Sequence, residues 1–141
     1  MLFAGVLEYV TNNKQVKINL GHVFFLSLVM AQLEKSYAAI LFVIFAGFLP
    51  QVMVGNLDLK TLVMYPILIL IVSVSGFLGW NTIVGIFLAM IFYGITFLVG
   101  KFAGETIPEM LTETLLPLFM NIVYFVSFVQ VKNLIGLVIG A

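Results

Sequence analysis

Charged and strongly polar residues punctuate this chain at wide intervals, and the stretches between them are almost wholly apolar. Breaks fall at Glu34-Lys35-Ser36, at Gly55 to Lys60, at Gly79-Trp80-Asn81 and at Lys101 to Pro108. A helix crossing a bilayer needs roughly 17–25 apolar residues. The pattern predicts five such helices, over 16–33, 37–54, 61–80, 81–100 and 111–131. The two-residue alternation of a membrane barrel is absent, and helices are the element that satisfies backbone groups in lipid. The short connections predict antiparallel neighbours. Two pieces, 1–9 and 134–141, are too short to span; each reads as an interfacial helix, a re-entrant end or a packed segment. The expected fold is therefore an all-α polytopic transmembrane helical bundle of five spans, or six if the C-terminal piece crosses. It forms one integral membrane domain over 1–141.

Composition sharpens this. Hydrophobic residues make up 63% of the 141 and charged residues only 9%, against about 25% in soluble domains, and the mean hydropathy is +1.24. A small soluble domain buries only about two-thirds of the surface it exposes on unfolding, so the surplus faces lipid. Six lysines balance six carboxylates, arginine is absent, and nothing basic clusters; nucleic-acid binding has no support. With no cysteine there is no disulfide, thiolate nucleophile or sulfur metal site. The first ten residues lack a basic start and are interrupted by Glu8, so no cleavable signal is expected. With five spans, Lys14, Lys17, Lys60 and Lys101 share one side and Lys35 and Lys132 the other, which favours a cytoplasmic N-terminus.

Few residues offer chemistry. Glu105, Glu109 and Glu113 recur every fourth position and would share a helix face able to gather a cation. The helix-start reading outweighs this one: Thr106-Ile107-Pro108-Glu109 has the form of a capping box with proline in the first turn. The lone histidine, His22, follows Asn19 and Gly21; without a second histidine a structural hydrogen bond outweighs metal or proton chemistry. The deeper polar residues Gln51, Ser73, Ser75, Thr96, Asn121 and Ser127 are all neutral, whereas proton and ion pathways use ionisable groups. They read as glue between helices, with His22, Gln51 and Asn121 the candidates for helix contact or ligand contact. Pro50, Pro66 and Pro117 predict kinks. The spacings Ser75-xxx-Gly79, Gly85-xxx-Ala89 and Gly136-xxx-Gly140 are candidate close-packing faces. No catalytic or phosphate-binding motif occurs; no enzyme, cofactor or metal site is expected.

Two stretches resemble a known family. Gly47-Phe48-Leu49-Pro50-Gln51-Val52-Met53-Val54-Gly55, followed by Leu57-Asp58-Leu59-Lys60-Thr61-Leu62, is similar to the MreD family of rod-shape-determining membrane proteins, with Gln51 where that family often has an acidic residue. Leu115-Leu116-Pro117-Leu118-Phe119-Met120-Asn121-Ile122 resembles its last span. The resemblance implies a non-catalytic subunit of the prokaryotic plasma membrane that binds other membrane proteins during cell-shape or envelope assembly. The MreD family is also similar in fold to the substrate-binding components of energy-coupling-factor transporters. That relation implies an alternative, a vitamin- or metal-binding transporter subunit with a cavity near His22, Gln51 and Asn121. A third reading, a holin-like pore, is disfavoured because a lumen would show a polar stripe.

Overall fold

The computed structural model describes residues 21–34, 36–55, 57–78 and 81–139, with side chains as far as Lys132. Every element in the described residues is helical. Helix α1 is His22–Leu33, α2 is Ser36–Val54, α3 is Leu59–Leu78 and α4 is Thr82–Phe102. Helix α5 runs without interruption through Ile107–Met110, Leu111–Leu115 and Leu116–Ile139. Helices α2 to α5 are long and apolar enough to cross a membrane. Helix α1 is not. At 12 residues it is about 18 Å long, well short of a hydrocarbon core of about 30 Å.

Three departures from the sequence reading have local causes. The expected span 16–33 is helical only from His22 within the described residues, because Gly21 takes a left-handed conformation (φ 68°) that ends helical geometry there. The final helix begins at Ile107 rather than 111, since Glu109 Oε2 accepts hydrogen bonds from the Thr106 N–H and hydroxyl and fixes an earlier start. It also continues past 131 as far as Ile139, so the stretch to that residue prolongs α5 and makes no separate sixth crossing. Residues 1–20 and the last two, including Gly140, lie outside the described residues.

Two of the three prolines expected to kink helices are accommodated by widening the helix. A proline ring crowds the carbonyl four residues earlier and supplies no N–H. Just ahead of Pro50, residues Val43–Phe48 adopt π-helical turns, with the Leu49 N–H reaching back to Ile44 O. Just ahead of Pro117, Leu111–Leu115 do the same, with the Leu116 N–H reaching Leu111 O. Such single-turn π segments inside α-helices are uncommon. Pro66 sits within α3 with no π segment.

Helices α2, α3, α4 and α5 follow one another around α1, which packs on α2, α3 and α5. Its Phe24 stacks on Phe92 of α4 at 4.9 Å and meets Tyr93 at 5.5 Å. On its other side, Phe25 makes an edge contact with Phe125 of α5 at 5.0 Å. The core is thus aromatic and apolar, with Leu28, Val43, Ala39, Val72 and Ala89 fully enclosed. Large apolar side chains such as Phe45, Leu70, Phe77, Phe87 and Phe119 point outward, where lipid replaces water as the solvent.

Close packing depends on glycine where α4 crosses α5. A Cβ on Gly85 would lie 2.6 Å from Phe125 Cε1, so α4 can approach α5 there only without a side chain. Gly94, on an open face of α4, would meet nothing. Gly85→Val is therefore expected to cost about 1–3 kcal/mol through overpacking, whereas Gly94→Ala, which gains helix propensity, leaves stability unchanged or slightly raised. Thermal melting of the two purified variants against wild type checks both.

Candidate functional site

The α2–α3 and α4–α5 turns lie at the same end of the bundle, where three charged groups meet. Helix α3 begins at Leu59, helped by Asp58 Oδ1 accepting from the Thr61 N–H at 2.7 Å. This start places Lys60 inside the helix, with the residue 8% exposed. After α4 the chain turns through Gly104 (φ 81°), and the Glu105 N–H donates to Gly100 O at 3.0 Å. The turn folds the Glu105 carboxylate back over Gly100, whose missing side chain leaves the room it occupies. Lys60 Nζ donates to Glu105 Oε1 at 2.7 Å, to Glu105 Oε2 at 2.8 Å and to Glu113 Oε2 at 2.9 Å.

This triad sets charged groups within the helices, beside the neutral polar residues that the sequence shows deeper in the spans. Lys60, expected in the connection 55–60, lies within α3, which begins at Leu59 rather than 61, and Glu113, in the first turn of the expected span 111–131, lies within α5. Only Glu109 of the three spaced carboxylates performs the capping role. Glu105 and Glu113 converge on one ammonium, which uses all three of its donors. With the three groups ionised the cluster carries a net charge of −1, with side chains only 9% to 20% exposed. A buried ion is costly unless paired and hydrogen-bonded, so the triad fixes α3, the α4–α5 turn and α5 relative to one another.

Deeper in the bundle lies a second polar node. Asn121 of α5 is fully buried. Its Nδ2 shares two N–H donors among Pro117 O at 2.8 Å, Gly21 O at 3.1 Å and Tyr93 Oη at 3.1 Å. Two carbonyl acceptors define the orientation of the amide, since the reverse would set oxygen against oxygen. The node joins α5 and α4 to the residue at which α1 starts. Asn121 Oδ1 is buried with no hydrogen-bond partner among the described residues.

The other expected residues take the following places. His22 is half-buried in the first turn of α1, next to the Gly21 that Asn121 binds. Gln51 Oε1 accepts from the Thr61 hydroxyl at 3.2 Å, tying the end of α2 to the start of α3. Ser75 is fully buried and accepts from Gln32 Nε2 at 2.9 Å. Gly85 and Ala89 lie under α5 or in the core, so these small residues pack helices of this same chain. Gly79 and Gly140 fall outside the described residues, as does the packing of Gly136. Sequence reasoning passed over Tyr93, Gln32 and the Lys60 pairing. The spacing of Glu105, Glu109 and Glu113 was the one available signal for the last, but its lysine lies in a distant segment. Among the described residues no group of three or more acidic or imidazole side chains is placed to hold a metal.

Comparison with protein-family models, curated proteins and solved structures finds no match to this chain.

Removing Lys60 alone leaves two facing carboxylates. Lys60→Met is expected to destabilise by about 3–5 kcal/mol, as for other buried pairs stripped of one partner. Glu113→Gln, which leaves the neutral Lys60–Glu105 pair, costs much less; comparison of the two melting temperatures tests the assignment. Asn121→Leu removes the amide that joins Pro117, Gly21 and Tyr93 and is expected to cost about 1–3 kcal/mol, read as a lower melting temperature of the isolated protein.

Proposed function

We propose that this chain is a non-catalytic polytopic subunit of a membrane complex, acting as a scaffold or partner through helix–helix contact, with cell-shape or envelope assembly as its setting. The observation that carries the reading is how the interior polar groups are used. Lys60 with Glu105 and Glu113, Asn121 with Gly21 and Tyr93, and Gln32 with Ser75 each join helices of the chain to one another. The space around α1 is filled by Phe24, Phe92, Tyr93 and Phe125. A rigid, internally paired bundle offers its outer helix faces for recognition. The lysine bias, read with five spans, supports a cytoplasmic side for the N-terminus, Lys60 and Lys101, in the prokaryotic plasma membrane that the family resemblance implies.

One observation favours the alternative of a transporter subunit that binds a small molecule. Helix α1 starts part-way along the bundle at Gly21, beside the buried Asn121 Oδ1, which has no hydrogen-bond partner among the described residues, and helix ends within a bundle line the binding sites of several transporter folds.

The test is purification from native membranes of the organism under mild detergent. The scaffold reading expects a membrane protein retained in fixed stoichiometry and no melting shift on adding vitamins or divalent metals. A ligand-dependent rise in melting temperature with no retained protein would overturn it in favour of the transporter reading.

A further inference from the structure

Helix α5 carries a widened turn that its proline does not by itself explain. Leu111–Leu115 are π-helical, with the Leu116 N–H reaching Leu111 O, just ahead of Pro117. Yet Pro66 sits inside α3, which is α-helical along its whole length. Proline in this bundle therefore permits a widened turn without requiring one. The widened turn ahead of Pro50 is held by packing. Val43, Ala46 and Gly47 are buried in it, and a Cβ on Gly47 would lie 3.0 Å from Tyr65 of α3 and from Val23 of α1. Of Leu111–Leu115 only Thr114 is buried, so packing does not account for the second widened turn.

Two side chains mark this turn as one of two states. The first is Thr114. A hydroxyl within a helix can bond to the carbonyl three or four residues back, and Ser27, Ser73, Thr96 and Thr112 all do so here. Thr114 is 1% exposed, yet its hydroxyl has no partner among the described residues. In an α-helical turn Met110 O would stand in the place that serves those four. The second is Glu113, in the middle of the widened stretch. Its Oε2 accepts from Lys60 Nζ at 2.9 Å, while Glu105 takes the other two donors. Lys60 with Glu105 alone is a matched pair, and Glu113 adds the unmatched negative charge. Lys60 therefore stays paired whether Glu113 is on it or off it.

We propose that the start of α5 is a helix-register switch, held wide by the Glu113–Lys60 pair. Closing the turn to α geometry rotates the stretch before it by about 100° and moves it about 1.5 Å along the axis. This carries Glu113 off Lys60 and gives the Thr114 hydroxyl its carbonyl. In the wide state Met110 faces the core, 9% exposed, and Leu111 faces outward, 47% exposed. In the closed state Leu111 takes the place of Met110, an exchange that nearly conserves volume. The turn after α4, with Gly104 at φ 81°, absorbs the rotation. The device changes the outer face of the first turns of α5, and it does not depend on the partner proposed above.

The chain has no cysteine, so single introduced thiols report the register. Met110→Cys and Leu111→Cys are made separately in the full chain, purified in mild detergent, and their rates of reaction with a water-soluble maleimide are compared. With Glu113 in place the thiol at 111 is expected to react faster. Adding Glu113→Ala, which frees the latch, reverses the order. Pro117→Ala with Glu113 intact leaves the order as it was. Thr114→Val supplies a reading that a lost ion pair alone would not move. It leaves the melting temperature unchanged or raised while the hydroxyl is unbonded, and lowers it in the Glu113→Ala background, where the hydroxyl has Met110 O. The same order of reactivity with and without Glu113 would overturn the proposal, as would equal effects of Thr114→Val in the two backgrounds. Reversal by Pro117→Ala alone would overturn it too, since the proline would then be what holds the turn wide. Should a cysteine variant fail to fold, the Thr114→Val melting comparison decides by itself.

Discussion

Hydrocarbon offers no hydrogen bonds, so a polar group carried into it must find its partner within the protein. That constraint accounts for the helices, which satisfy their own backbones. It also accounts for the two places where helices widen. Pro50 and Pro117 cannot donate, and the turns just before them re-pair through longer-range bonds from Leu49 to Ile44 and from Leu116 to Leu111. Asn121 obeys the same rule with its side chain, taking the carbonyls of Pro117 and Gly21 and the hydroxyl of Tyr93.

The strictest instance is Lys60. An ammonium inside a helix of an apolar bundle must be matched in charge as well as in hydrogen bonds. Two carboxylates from the α4–α5 region supply this, and the backbone is shaped to deliver them: Gly104 turns the chain and Gly100 leaves room for Glu105. The α3 end of the bundle is thereby locked to its α4–α5 end. The other end is held by weaker neutral contacts, with Gln32 bonded to Ser75 and Ser36 packed against Gly76.

Within this frame the short helix α1 is the hub. It touches three of the four longer helices, and its aromatic residues Phe24 and Phe25 contact the remaining one as well as α5. Core aromatic packing of this kind is specific in geometry. It leaves the outside of the bundle as the surface on which lipid or another membrane protein acts, and the contrast between Gly85 and Gly94 shows the two uses of glycine on one helix. The first admits a neighbouring helix of the same chain; the second opens a face to the bilayer.

The apolar runs by themselves determined that this is a membrane protein and located its four long helices, α2 to α4 to within two residues and α5 four residues late at its start and eight short at its end, because a bilayer demands length and hydropathy and both are written locally. The Thr106–Glu109 start was readable for the same reason, being contained in four residues. What only tertiary structure decided are relations between distant segments. Lys60 reads as a loop cation until α3 is seen to begin at Leu59 and the α4–α5 turn is seen to bring Glu105 over it. Asn121 was visible as a buried amide, but its partners, Gly21 and Tyr93, lie 100 and 28 positions away. The small-residue pair Gly85 and Ala89 marked a packing face without saying whose helix would fill it, and the fold assigned it to the chain's own α5 and core. Hydropathy is a property of each stretch alone; pairing is a property of which stretches meet.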